Sequence, residues 1–264
     1  MLNINHVYKT FNPGTINEKK ALVDLDLHLK AGDFVTVIGG NGAGKSTMMN
    51  AIAGVWPVDE GSIVLDGIDV TGLPEHKRAK YIGRVFQDPM MGSAPDMQMI
   101  ENLALAYRRG RRRGLGWGVT KQEKEMFYEE LKILGLGLED RMTVKVGLLS
   151  GGQRQALTLL MAALQKPKLL LLDEHTAALD PATAAKVLEI SDKIVGENKL
   201  TAVMITHNMS DAIKHGNRLI MMNNGHIIYD VEKEEKMKLT KQDLMNKFAE
   251  ISGSNIESDQ VLLS

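Results

Sequence analysis

Along Val23-Asp24-Leu25-Asp26-Leu27-His28-Leu29-Lys30, apolar and polar residues alternate. A period of two sends alternate side chains to opposite faces, so this segment predicts a strand with one buried face, as in an antiparallel sheet. Residues 34–38 and 169–172 are instead nearly unbroken apolar runs, which suit strands covered on both faces in a parallel sheet. Further strands are expected at 62–65 ahead of the Asp66-Gly67 turn, at 82–86, 202–205 and 219–222, and at 226–229 after Asn224-Gly225. A helical period dominates about 99–135, 151–164 and 181–195. Strands mixed with helices predict an α/β chain, and the helix-rich middle reads as an insertion in the α/β core.

With 264 residues, the chain can bury a large core as one domain with at most a modest appendage. A net charge of −1 argues against nucleic acid as the main partner. Cysteine is absent, which removes disulfides, thiol chemistry and cysteine metal sites and suits a reducing cytosol. Met1-Leu2-Asn3-Ile4-Asn5-His6 lacks the basic and apolar regions of a signal peptide, and no uncharged apolar stretch reaches the roughly 18 residues of a span. The expectation is a chain that is neither secreted nor bilayer-spanning by itself. Arg108-Arg109-Gly110-Arg111-Arg112-Arg113-Gly114-Leu115-Gly116-Trp117-Gly118 breaks the helical middle. It reads as an exposed basic loop, solvated or set against anionic lipid or an acidic partner.

Candidate chemistry begins at Gly39-Gly40-Asn41-Gly42-Ala43-Gly44-Lys45-Ser46-Thr47, which satisfies G-x-x-x-x-G-K-[ST] directly after an apolar run. In such a loop, glycines let backbone N–H groups turn inward on phosphate oxygens, Lys45 reaches the β- and γ-phosphates, and the Ser46 hydroxyl binds Mg²⁺. The helix expected from Met48, Met49, Ile52 and Ala53 points its positive end at the anion. A phosphate loop alone leaves kinases, GTPases and many ATPases open. Two further segments narrow the choice: Leu149-Ser150-Gly151-Gly152-Gln153 opens a helical stretch, and Leu169-Leu170-Leu171-Leu172 ends in Asp173-Glu174. Where a buried strand ends the chain can turn, letting Asp173 bind Mg²⁺ and Glu174 orient and deprotonate water.

In this order and spacing, the three segments resemble the nucleotide-binding domain of ABC ATPases, over nearly the whole chain. The resemblance implies an α/β P-loop NTPase core with a mostly parallel sheet, an N-terminal antiparallel β subdomain and a helical insertion of the ABC type. The ATPase domain would span 1–250, with its helical subdomain at about 88–165 and a short polar tail at 251–264. It also implies that Phe11, with Tyr8 as the fallback, stacks on adenine and that Gln87 senses Mg²⁺ and the membrane partner. Asp180 would touch the opposite subunit, and His207 would hold Glu174, water and γ-phosphate in register. His175 stands where the family more often has proline, which puts local backbone stiffness in doubt. His6, His28, His76, His215 and His226 match no motif and read as ordinary surface or strand residues.

By the same resemblance, Ser150, Gly151, Gly152 and Gln153 cap the γ-phosphate bound to the other subunit of a head-to-tail homodimer that closes on ATP. The implied partners are transmembrane permease subunits and a separate substrate-binding lipoprotein. The implied location is cytoplasmic, peripheral on the inner face of the membrane. Ala94-Pro95-Asp96-Met97, the Arg/Gly loop and Asp173-Glu174-His175-Thr176-Ala177-Ala178-Leu179-Asp180-Pro181 look like ATPase subunits of bacterial uptake systems proposed for aromatic amino acids. A soluble ATPase of iron–sulfur assembly and the ATPase of an exporter are the alternatives.

Overall fold

The computed structural model describes residues 1–110 and 118–252. In chain order, β1 (Leu2–Phe11), β2 (Lys19–Leu29), β3 (Phe34–Ile38), α1 (Lys45–Ala53), β4 (Glu60–Leu65), β5 (Ile68–Asp69) and α2 (Glu75–Arg78) come first. Next are β6 (Ile82–Val85), α3 (Met99–Tyr107), α4 (Lys121–Lys132), α5 (Gly151–Ala163), β7 (Leu169–Asp173) and α6 (Pro181–Glu197). The last group is β8 (Thr201–Ile205), α7 (Met209–Lys214), β9 (Arg218–Asn223), β10 (His226–Glu232), α8 (Lys233–Met237) and α9 (Lys241–Ser252). Two compact units result: one combines Met1–Arg78 with the chain from Leu200 onward, the other is Ala79–Lys199.

The first unit contains an antiparallel sheet in the order β2-β1-β4-β5. As the alternation requires, Leu25, Leu27 and Leu29 are buried while Asp24, Asp26 and His28 are exposed. In the same unit, β3 runs parallel to both β8 and β9, and β10 closes antiparallel on β9. Every residue of β3 and β8 is buried, and Thr36, the polar residue of β3, donates to the Ala212 carbonyl at 2.8 Å. The helices after β8 left little periodic signal because they are short or polar. Still, α9 places Leu244 and Phe248, one turn apart, in a core with Ile38, Met209, Leu219, Met221 and Val231. His215 departs from the surface expectation, being only 3% exposed. Its carbonyl and that of Gly216 accept from the buried Lys236 ammonium, as does Thr36 Oγ1 at 3.4 Å, and such bonds offset the cost of burying a charge.

The second unit has a parallel pair, β6 and β7, with α3 to α6. Helix α5 is buried at nearly every position from Gln155 to Ala163, so it forms the centre of this unit. The helix starts are chemically marked: Thr120 with Glu123 and Ser150 with Gln153 form capping boxes, and Asp180 caps α6 with Pro181 in the first turn.

The basic break differs from the exposed loop expected at its start. Arg108 Nη2 donates to both carboxylate oxygens of Glu123, at 2.8 Å to each. The Arg109 side chain turns inward, donates to the Ala162 carbonyl at 3.4 Å and lines a cavity of about 450 Å³ with Arg84, Ser93, Asn102, Leu105 and Thr158. The acidic third position of the α4 capping box supplies the counter-charge that draws Arg108 in. Residues 111–117 and the tail at 253–264 lie outside the described residues.

Candidate nucleotide-binding site

In the first unit, β3 delivers the chain into the loop that starts at Gly39, and α1 leaves it at Lys45. Gly44 is the N-cap residue, at φ 104, where a Cβ would lie 2.6 Å from the Ala21 carbonyl. A side chain at Gly39 would meet the Met222 carbonyl. Both positions therefore need glycine for the loop to pass so close to neighbouring backbone. The buried Lys45 ammonium donates to the Gly39 and Gly40 carbonyls at 2.6 and 3.0 Å, which seats the cation inside the loop. Ser46 is exposed and Thr47 half-buried. Gly44 gives the start of α1 no side-chain cap, and the positive end of the helix dipole faces the loop, an arrangement that favours an anion there.

His207 belongs to the same unit. The parallel register pairs Val37 with Ile205, and the Thr206 amide donates to the Val37 carbonyl at 3.2 Å. Parallel strands end on the same edge, so half-buried His207 leaves β8 beside the point where β3 enters the phosphate loop. Phe11, at the end of β1, packs edge-on against Trp56, with ring centroids 4.9 Å apart. The Lys9 ammonium stands 5.7 Å from the Phe11 ring centre. Tyr8 hydrogen-bonds Asp24, and its hydroxyl is pushed above the ordinary range by burial first and that carboxylate second.

In the second unit, the rung Val85–Leu172 lies two residues before both Gln87 and Glu174, so the same parallel-strand argument brings Gln87, Asp173 and Glu174 to one edge. Gln87 is exposed, while Asp173 and Glu174 are half-buried. Arg84 Nη2 donates to Asp173 Oδ2 at 3.1 Å. Glu174 adopts φ 46, a left-handed conformation that is strained for a residue with a Cβ. The Ala177 amide closes the following turn on the Glu174 carbonyl at 3.0 Å. Ser150 is exposed and accepts from the Gln153 amide at 3.3 Å, while Gln153 Oε1 accepts from the Ser150 amide at 3.2 Å. Gly151 is exposed, Gly152 is buried against Thr183, and exposed Asp180 accepts from the Thr183 amide at 3.1 Å. The Asp180 carboxyl is held below the ordinary range by its side-chain bond with Thr183, then by the Thr183 backbone.

Sequence reasoning missed Trp56 beside Phe11, Arg84 beside Asp173, and the Ser191 partner of His175. Only Arg84 carried a signal, as a charge inside the apolar segment Ile82-Gly83-Arg84-Val85.

The loop after β3, with its lysine turned inward at a helix start, defines a P-loop nucleoside triphosphatase. The family pattern described as ABC transporter matches residues 22–177. A tyrosine transport ATP-binding protein of Clostridioides difficile is 42% identical over 94% of this chain and 98% of its own length. The methionine import ATP-binding protein MetN 2 of Enterococcus faecalis is 33% identical over the whole of this chain and 74% of its own. Among solved structures, a dimeric ATP-binding cassette in a post-hydrolysis state bound to ADP and Pi superposes with a TM-score of 0.74 at 30% identity, covering 88% of this chain and 98% of that one. The ADP conformation of a second cassette of an ABC transporter gives 0.78 at 27% identity, covering 94% and 98%. The chain belongs to the ABC transporter family, and it is an ATP-binding and ATP-hydrolysing subunit with the α/β P-loop fold of that family. Among the described residues, no helix is long and apolar enough to cross a membrane.

Proposed function

We propose that this chain is the ATPase subunit of a bacterial importer of a small solute, an aromatic amino acid being the substrate class, and that it works on a permease formed by separate chains. The observation that carries this reading is the 42% identity to the tyrosine transport ATP-binding protein across 98% of that relative. Residues 39–47 hold the phosphates, Lys45 meets the β- and γ-phosphates, and Phe11 stacks on adenine, its ring already propped by Trp56. The hydroxyl of Ser46, the amide of Gln87 and the carboxylate of Asp173 are hard oxygen donors that suit Mg²⁺. When bound, that ion neutralises charge on the transferring phosphoryl group.

Glu174 takes the proton of the attacking water, and His207 keeps the γ-phosphate in register. Ser150 to Gln153, at the start of α5, and Asp180 serve the second subunit of a head-to-tail homodimer formed on ATP binding. Gln87 and the helical region after it face the permease, which keeps the chain peripheral on the cytoplasmic side of the membrane. A substrate-binding lipoprotein completes the system. The cavity beside Arg109, Leu105 and Ser93 supports a docking role for this region.

Two measurements test the reading. Glu174→Gln is expected to bind ATP with Mg²⁺, stop hydrolysing and shift from monomer to dimer. Continued hydrolysis at the wild-type rate without dimerisation would remove Glu174 from the role of base. For the substrate, ATP-driven uptake into proteoliposomes containing the copurified permease and binding protein is expected for tyrosine or another aromatic amino acid. Uptake of methionine alone would overturn the substrate class.

A further inference from the structure

We propose that the His175–Ser191 hydrogen bond is a latch that holds the turn carrying Glu174, which makes His175 a positioning residue for hydrolysis. The proposal builds on the assignment of Glu174 as the base. His175 follows Glu174 directly and is only 2% exposed. A polar ring so buried needs a partner, and His175 Nε2 lies 2.9 Å from Ser191 Oγ. The Ser191 hydroxyl donates to the Val187 carbonyl, also at 2.9 Å. A hydroxyl has one proton, so with that proton directed at Val187 the Ser191 oxygen faces His175 as an acceptor, and Nε2 carries the hydrogen. The bond therefore runs in one direction, from the residue after Glu174 to a serine well inside the 17-residue helix α6.

Glu174 needs such a tie because its φ of 46 is costly for a residue with a Cβ and persists only where the surroundings over-determine it. The bonds of Ala177 to the Glu174 carbonyl and of Leu179 to the Thr176 carbonyl lie within the turn itself. They shape it locally. Proline at 175 would stiffen the backbone by fixing its own φ, whereas histidine has no such restriction. A buried imidazole bonded to a helix is a tertiary contact that supplies stiffness in its place. Asp180 caps the same helix through Thr183, so both ends of the turn are attached to α6.

The test compares kcat, KM for ATP and equilibrium binding of a fluorescent ATP analogue. The full-length chain is studied as wild type, Ser191→Ala, His175→Ala, the double variant, His175→Gln and Glu174→Gln, all well below their melting temperatures. Ser191→Ala and His175→Ala are each expected to lower kcat roughly tenfold or more, as a misplaced catalytic group does. KM and analogue binding should stay within about twofold of wild type, because the loss falls on the chemical step. The double variant should be no slower than either single one, since the two residues act as a unit. His175→Gln retains a donor and should recover most of the rate.

A wild-type kcat in Ser191→Ala, with only a lower melting temperature, would reduce the bond to packing and overturn the proposal. Where Ser191→Ala does not fold, equal kcat in His175→Gln and His175→Ala overturns it instead. If Glu174→Gln hydrolyses at the wild-type rate, the base assignment falls and the latch with it. If Glu174→Gln is inactive while Ser191→Ala is fully active, the latch alone falls.

Discussion

Arg84 donates its Nη2 hydrogen to Asp173 Oδ2 at 3.1 Å, so the carboxylate proposed to share Mg²⁺ already carries a fixed cation. The guanidinium is held in place by β6 and stands 4.7 Å from the Phe86 ring centre. Both side chains are largely buried, 13% and 17% exposed, so solvent screens the pair less than it would on an open surface. Arg84→Met keeps the bulk and removes the competing charge. The concentration of Mg²⁺ giving half-maximal ATPase is expected to fall roughly three- to tenfold, the scale of about 1 kcal/mol. A higher Mg²⁺ requirement would mean that Arg84 orients the carboxylate more than it competes for it.

Glu174, the proposed base, has a strained backbone at φ 46. Glycine adopts φ near 46 without the Cβ penalty, so Glu174→Gly should abolish hydrolysis yet stabilise the nucleotide-free chain by about 0.5–1 kcal/mol. For a chain of this size that is a rise in Tm of about 1–4 °C. Calorimetry without nucleotide measures it, and a fall in Tm would show that the Glu174 side chain contributes more than its backbone costs.

Gly152 has a packing reason to be glycine. A Cβ there would run into Thr183 Cγ2 on α6, so Gly152→Ala is expected to destabilise by about 1–3 kcal/mol. Thr183→Ser removes the offending methyl group while leaving the backbone amide that Asp180 uses. The Gly152→Ala/Thr183→Ser variant should therefore recover most of the stability in denaturant melts. If ATPase activity recovers too, the glycine serves helix packing; if it does not, the added methyl group obstructs the nucleotide itself.

His6 gives a pH dependence on the outer face of the antiparallel sheet. Its Nδ1 lies 2.8 Å from Asp24 and 3.3 Å from Asp26, and its pKa is raised above 6.5, first by the hydrogen bond to Asp24 and then by the charge of Asp26. A raised folded-state pKa stabilises fully below the unfolded value and loses that contribution as pH climbs through the folded one. The melting temperature of wild type should exceed that of His6→Gln at about pH 5.5, and the gap should close by about pH 9. An equal gap at both values would assign the effect to packing rather than to charge.

Much of the fold was legible because its signals are local. The alternation at 23–30 became β2 with its leucines inside and its aspartates outside, and the apolar runs became buried β3 and β7. The helical periods expected at 151–164 and 181–195 became α5 and α6. The helices α7, α8 and α9 were not legible, since they are short or polar; α7 and α9 are stabilised by docking Met209, Leu244 and Phe248 into a common core. The basic break misled because Arg108 looks exposed until Glu123, 15 positions on, comes within hydrogen-bond distance.

By itself, the sequence determined the phosphate loop, the Asp-Glu pair at the end of an apolar strand and the signature segment, and with them the family. Each is a contiguous string, so its residue types and spacing can be read from chain order alone. Tertiary structure alone decided which groups stand beside those strings: Arg84 on Asp173, Thr183 against Gly152, Trp56 on Phe11 and Ser191 behind His175. Those pairs join residues 16 to 89 positions apart. No local pattern encodes such a contact, because what brings the partners together is the packing of strands and helices around a shared core.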